Sequence, residues 1–388
     1  MNNRSLFVAA TRQHVGKTSV SLGLVAGMQQ LFRGKVGYCK PVGQESIALK
    51  DELTGRRIIV DKDVPLFKES LGCVGDWSEM SPVLIGKGKT KEFLDGRIPI
   101  RELMTRAVNG VMSIRTKCEF QVIEGTGHVG VGSICGISNS IIASTIRSPM
   151  VLVVNGGIGR AFDDLTLNKA LCEAEGATII GVIVNKVQRE KMEQTEIYMR
   201  KALSRWMIPL IGVVPEKSDL GDACILDLEK KLNFKLLAGH EHRLRHFSRT
   251  ELVACDVSRF VDELSSGLRG DATTLYVFPS SRLDLLLALY AKIGQNIERS
   301  VVLVVDSPDP NFKSNNANHA RLEKILEKGD DNLPVLFCEA NSPLDAVRLV
   351  EKFTAKLNVE DNERVAAVVS HYSQHIDFSV LMDSILSN

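Results

Sequence analysis

Residues Leu6 to Leu22 read Leu-Phe-Val-Ala-Ala-Thr-Arg-Gln-His-Val-Gly-Lys-Thr-Ser-Val-Ser-Leu, and their reading decides the fold. An apolar strand runs into a polar loop, and Gly16-Lys17-Thr18 then opens a helix of small and apolar residues. This is the layout of a phosphate-binding loop. Backbone N–H groups of such a loop and of the following helix N-terminus converge on phosphate oxygens, which makes Thr11, His14, Val15, Gly16 and Ser19 candidate contacts. Gly16 lets the backbone approach closely, Lys17 has the reach for the β- and γ-phosphates, and the Thr18 hydroxyl is a ligand for Mg²⁺. The residues therefore predict ATP bound with Mg²⁺. The full pattern carries glycine at the loop's first position, where this chain has Thr11. A bare Gly-Lys-Thr arises often by chance, and its place between a strand and a helix is what makes it specific.

The same alternation continues outward from the loop. Short, β-branched-rich apolar runs at Leu6–Ala10, Val36–Lys40, Phe120–Glu124, Met150–Asn155, Ile179–Asn185 and Leu210–Pro215 predict strands of a parallel sheet covered on both faces. Stretches of helical period at Lys17–Phe32, Ile100–Arg115, Asp163–Glu175 and Glu190–Trp206 separate them. This is the pattern of a doubly wound, mostly parallel α/β sheet. A new pattern begins beyond a boundary between Leu220 and Leu237. Strands are expected at Leu252–Cys255, Thr274–Phe278, Ser300–Val305 and Val335–Phe337, with helices at Asp222–Leu232, Val257–Leu264, Arg282–Lys292, Asn318–Glu327 and Pro343–Leu357. The expected division is a phosphate-loop domain over 1–222 and a smaller α/β domain over 237–388. The tail Ser370–Leu386 is expected to form that domain's terminal helix.

Composition bounds the function classes. With 388 residues the chain has room for two cores, and 44% hydrophobic and 24% charged residues are ordinary for a globular protein. A net charge of +1 without a long basic run argues against nucleic acid or an anionic membrane as partner. No apolar run approaches the roughly 20 residues of a membrane span, and no signal peptide is expected before the first strand. The eight cysteines are scattered singly and form no C-x-x-C pair, so a reducing, cytoplasmic setting is expected rather than a zinc or disulfide scaffold.

Several further motifs carry a resemblance. They are Tyr38-Cys39-Lys40-Pro41-Val42, Asp63 within Asp61-Lys62-Asp63-Val64, Val122-Ile123-Glu124-Gly125-Thr126-Gly127, Val182-Ile183-Val184-Asn185-Lys186-Val187 and Gly212-Val213-Val214-Pro215. In this order, over residues 4 to 220, they resemble dethiobiotin synthetase, a P-loop NTPase. The chain is more closely similar to the N-terminal region of long bacterial phosphate acetyltransferases. There the P-loop domain is followed by a small α/β module named for an Asp-Arg-Thr-Gly-Gly motif. Residues 240 to 360 resemble that module through Val277-Phe-Pro-Ser-Ser-Arg-Leu-Asp284, in a degenerate form that lacks the naming motif.

The resemblance implies roles. Glu124 and Asp63 would help Thr18 hold Mg²⁺, and oxygen ligands suit that hard ion. Lys40 would stabilise a carbamate next to the γ-phosphate, where a lysine can neutralise charge developing in phosphoryl transfer. Asn185 would read adenine through its side-chain amide, which offers a donor and an acceptor. Read from the residues alone, a surface lysine at a strand end is the alternative for Lys40 and a plain loop asparagine the alternative for Asn185. The Gly-rich runs Asn155–Arg160 and Gly125–Gly136, the latter with His128, read either as mobile substrate loops or as packing turns. Arg12 stands where dimeric ATPases with a deviant loop carry a lysine that reaches the partner's nucleotide. On the substrate side, His14 and Gly43-Gln44-Glu45 depart from dethiobiotin synthetase, so its own substrate is not expected. The related cobyrinic acid a,c-diamide synthases add a glutaminase. Cys255 and Cys338 lie in or at the ends of strand-like runs without the elbow that such a nucleophile needs.

Two functions follow from this reading. One is an ATP-dependent enzyme acting on a small carboxylate or carbamate, with Lys17 and Lys40 as catalytic lysines. The other is a nucleotide-binding regulatory module, with a homo-oligomer, a dimer first, formed through the second domain. An assembly or partitioning ATPase is a third reading.

Overall fold

The structure is a computed structural model that describes residues 4–51, 55–86, 88–266, 272–291, 297–307 and 315–387. The chain divides into two units, one of residues 1–217 with 357–388, the other of residues 218–356.

The first unit is built on six parallel strands, β1 Ser5–Ala10, β2 Val36–Cys39, β3 Phe120–His128, β4 Met150–Asn155, β5 Ile179–Val187 and β6 Leu210–Pro215. Their order across the sheet is β6-β5-β4-β1-β3-β2. Every residue of β1 is buried, as the unbroken apolar run requires. From β1 the chain winds first toward β2 and later, through β4, the other way. The strand ends beside β1 therefore form the crevice where open α/β sheets bind ligands. Helices α1 Lys17–Leu31, α2 Ile100–Lys117, α3 Gly159–Ala174 and α4 Met192–Leu203 connect the strands. The doubly wound reading holds. β3 runs four residues beyond Glu124, so this carboxylate lies inside the strand. An antiparallel hairpin of Ser46–Lys50 and Arg57–Asp61, not anticipated from the sequence, delivers Asp61 to the same edge.

The second unit holds a five-stranded sheet of β7 Lys235–Ala238, β8 Arg249–Leu252, β9 Thr274–Pro279, β10 Ser300–Asp306 and β11 Val335–Glu339. The order is β7-β11-β10-β9-β8, parallel except for β7. Its helices are α5 Ile225–Leu232, α6 Val257–Ser265, α7 Leu283–Ala291, α8 Asn315–Leu326 and α9 Pro343–Lys352. Three successive crossovers advance in one direction. Right-handedness then puts α6, α7 and α8 on one face, where Phe260, Leu285 and Leu322 share a core. On the other face α5 and α9 supply Ile225, Leu228 and Val347. The expected strand Leu252–Cys255 ends at Leu252 instead, and β7 was not foreseen. Of the expected helix Arg282–Lys292, Lys292 lies outside the described residues.

The tail corrects the expected division at 237–388. It forms two helices, α10 Asn362–Ser373 and α11 Phe378–Leu386, and both belong to the P-loop unit. The reason lies in α1. A Cβ on Gly23 would stand 2.5 Å from Tyr372 Cβ, and one on Gly27 would overlap the Phe378 ring. Two glycines inside a helix cost about 1 kcal/mol each. Here they open the surface on which the tail packs.

Candidate functional site

The loop after β1 is shaped by its backbone. Gly16 has φ 93°, and a Cβ there would lie 2.5 Å from Asn185 Nδ2, so only glycine fits. His14 also adopts a left-handed conformation, at φ 59°. Helix α1 begins at Lys17, which directs its free N–H groups into the loop. The Lys17 side chain makes no ion pair or hydrogen bond within the described residues. Burial depresses its pKa against the pull of Glu124.

Thr18 and Glu124 meet as expected, with Thr18 Oγ1 donating to Glu124 Oε1 at 2.9 Å. The other carboxylate oxygen accepts from Tyr38 OH at 3.1 Å. Tyr38 and Lys40 alternate on β2 and its end, which brings both to this edge. Lys40 Nζ donates to Asp61 Oδ1 at 2.9 Å and to Asp63 Oδ2. Asp63 N–H in turn donates to Asp61 Oδ1 at 3.0 Å, and Asp61 N–H to Ser81 Oγ at 2.8 Å. Asp61 Oδ2 is buried and has no hydrogen-bond partner.

Electrostatics follow from this crowding. Burial raises the pKa of Glu124, with Lys40 and Lys17 pulling against it. Burial likewise raises Asp61 despite Lys40. For Asp63 burial also pushes upward, but the Lys40 ammonium outweighs it and holds the carboxyl below its ordinary range. Burial works against the Lys40 charge, yet Asp63, Glu124 and Asp61 together carry its pKa upward. Two lysines thus face three carboxylates, a formal excess of one negative charge that a divalent cation would offset. Among the described residues no three His, Cys, Asp or Glu side chains are placed to hold a metal by themselves. Thr18 Oγ1 and Glu124 do bring together two oxygen donors of the kind a hard divalent cation takes. Asp63, expected as a third ligand, is engaged by Lys40.

Other expected contacts lie elsewhere. Thr11 N–H donates to Val153 O at 2.9 Å, which ties the loop to β4, while its buried hydroxyl has no hydrogen-bond partner. Asn185 is fully buried. Its Nδ2 donates to Val15 O at 2.7 Å and to Tyr372 OH at 3.3 Å, and its Oδ1 accepts from Lys186 N–H at 2.9 Å. The amide expected to read adenine is here a brace between the loop, β5 and the tail. Arg12 pairs within its own unit, to Asp164 at 2.6 Å. His128 is a loop residue whose Nδ1 accepts from Gly130 N–H at 3.1 Å. Tyr38 and Tyr372 were not anticipated at the site, and Asp61 was read only as the neighbour that could take the place of Asp63. The Asp61-Lys62-Asp63 spacing signals one acid, whereas Tyr372 carries no local signal at all.

A family model described as an AAA domain matches residues 4–223. The phosphate acetyltransferase of Pseudomonas putida is 23% identical over 397 residues, covering 96% of this chain and 51% of that protein. That of Nitratidesulfovibrio vulgaris is 22% identical, covering 98% and 51%. This chain spans about half the length of these relatives. The ATP-dependent dethiobiotin synthetase BioD of Bacillus subtilis is 26% identical over 242 residues, covering 60% of this chain and 97% of that enzyme. Among solved structures, the MinC:MinD cell division complex of Aquifex aeolicus aligns with 56% of this chain and 83% of its own, at 17% identity and a TM-score of 0.35. No helix among the described residues is long and apolar enough to cross a membrane. With a match over more than half its length and a glycine-turned loop feeding Lys17 and Thr18, this chain belongs to the AAA-domain family of P-loop proteins.

Proposed function

We propose that the chain binds ATP with Mg²⁺ at Gly16–Ser19 and hydrolyses it or passes its γ-phosphate to a small carboxylate or carbamate. The observation that carries this reading is the part-buried Thr18–Glu124 hydrogen bond at 2.9 Å, next to Lys17 at the sheet's C-terminal edge. Thr18 Oγ1 and Glu124 are the donor set for the metal, which when bound would neutralise phosphate charge and orient the γ-phosphoryl group. Lys17 supplies the second neutralising charge, and α1 presents its N-terminal N–H groups to the phosphates. Lys40, fixed by Asp61 and Asp63, would face the acceptor side and offset charge developing there.

A second reading has its own support. Nearly the whole chain aligns with about half of the phosphate acetyltransferases, and the Lys40 charge is already engaged by two carboxylates. Both observations suit a module that binds nucleotide without a metabolic reaction of its own.

A thermal-shift titration with Mg²⁺ and ATP tests the shared claim, since a ligand of the native state raises the midpoint. A rise that Thr18→Ala or Lys17→Ala abolishes is expected, and no rise with any nucleotide overturns the reading. Phosphate release then separates the two functions. Turnover that requires an added carboxylate supports the enzyme, and tight binding without turnover supports the module.

A further inference from the structure

Beyond the P-loop, the same unit carries a second concave site of about 500 Å³, between the start of α4, the end of β6 and helix α10. We propose that this pocket binds a small phosphate-bearing dianion, independently of Lys17. Arg189, Lys217, His371 and His375 line it, with Ser370 and Gln374 as further polar groups, and none of its nine lining residues is acidic. The volume suits a small metabolite.

Two backbone contacts orient the histidines. His371 Nε2 lies 2.9 Å from Pro215 O, so it is the protonated nitrogen and Nδ1 is the one left over. His375 Nδ1 lies 2.7 Å from His371 O, which reverses the assignment and leaves Nε2. The two rings are 5.0 Å apart. On protonation each ring gains a donor at the remaining nitrogen, so both become hydrogen-bonding cations. The named charges acting on His371 are all of one sign: His375, Lys217 and Arg189 disfavour its protonated form, as burial does. An anion reverses that repulsion. Arginine, lysine and two protonatable rings on one concavity offer a dianion several charge-assisted hydrogen bonds at once.

The occupant would be a dianion rather than a nucleotide base, because the lining is dominated by donors and positive charge and holds no Phe, Tyr or Trp. The tail is essential to it, since both histidines come from residues 371–375. Tyr372 follows His371 in the chain and turns its hydroxyl to Asn185, next to the P-loop.

Isothermal titration of the full chain with inorganic phosphate tests this, using Lys17→Ala to silence the P-loop. The expected result is a single phosphate-binding event that survives in Lys17→Ala. Arg189→Ser or Lys217→Ser should weaken it at least about tenfold, the loss for one charge-assisted hydrogen bond. Thermal melts verify that each variant is folded. With sulfate, whose charge is constant across the range, affinity should rise as the pH falls toward the depressed pKa of His371. His371→Gln with His375→Gln, which keeps hydrogen bonding but not charge, should flatten that dependence. Phosphate binding lost in Lys17→Ala, or unchanged by Arg189→Ser and Lys217→Ser, overturns the proposal. Loss in Lys17→Ala would place the phosphate at the P-loop, and neither outcome counts against ATP binding at Gly16–Ser19, so the two readings fail separately.

Discussion

Replacing Lys40 with methionine isolates the charge balance on which the candidate site rests. The ammonium is buried between two carboxylates, with the Lys40 and Asp61 side chains 8% and 1% exposed. Lys40→Met preserves the stem but leaves Asp61 and Asp63 without their cation. Breaking a buried pair in this way costs about 3–5 kcal/mol. An exposed pair contributes at most about 1 kcal/mol. The pH dependence has a definite sign. In the native protein Lys40 depresses Asp63, whose contribution to stability is present above an unfolded pKa of about 3.9 and lost as pH falls through the lower folded value. Without Lys40, burial dominates and both carboxyls rise. A carboxyl with a raised folded pKa costs stability above the unfolded value, and that cost vanishes once both states are protonated. The deficit of Lys40→Met is therefore largest near neutral pH and narrows toward about pH 4. Both tryptophans of the chain, Trp77 and Trp206, lie in the P-loop unit, so urea unfolding followed by tryptophan fluorescence reports on that unit. The expected result is a loss of about 3–5 kcal/mol at neutral pH, partly restored by adding Asp61→Asn and Asp63→Asn. A loss below about 1 kcal/mol, or one indifferent to pH, would refute the reasoning.

Other consequences follow from the tail and the second unit. Tyr372→Phe removes the hydroxyl that bonds Asn185 and should lower the same fluorescence-detected stability by about 0.5–1.5 kcal/mol. Gly27→Val places a side chain where the Phe378 ring lies, so amides of α10 and α11 should exchange faster with solvent while those of β1 and β4 do not. Gly16→Ala forces a side chain onto Asn185 at positive φ, and the thermal shift with Mg²⁺ and ATP should disappear. Leu285→Ala empties a fully buried position of the second unit and should cost about 2–5 kcal/mol, read by far-ultraviolet circular dichroism because no tryptophan lies there.

Much of the first unit was legible because its signals are local. The strands at Met150–Asn155 and Leu210–Pro215 have the boundaries read from the apolar runs, and α1 starts at Lys17 as the Gly-Lys-Thr predicts. The pair Thr18–Glu124 was implied by the resemblance, and the start of α1 beside β3 brings the two within 2.9 Å. The hairpin Ser46–Lys50 with Arg57–Asp61 was not legible, since its first strand alternates exposed and half-buried residues and offers no core-facing apolar stripe. Likewise β8 ends where Leu252–Cys255 was expected to begin. Its Arg249-Thr-Glu-Leu composition is polar, and pairing with β9 rather than hydrophobicity makes it a strand. The assignment of the tail failed for a related reason. Nothing near residue 370 states which unit will receive it, and the decisive residues are two glycines in α1.

By itself, then, the sequence determined the parallel α/β architecture and the phosphate loop, and its resemblance put Thr18 and Glu124 side by side. Period, turn chemistry and strand ends are properties of contiguous residues. Tertiary structure alone decided that Lys40 is shared by Asp61 and Asp63, and that the tail returns to α1. It also decided that Asn185 meets a tyrosine 187 positions away instead of standing open. Those contacts depend on where distant segments are brought together, and in a buried, crowded site the partner a polar group finds there sets its charge and its role.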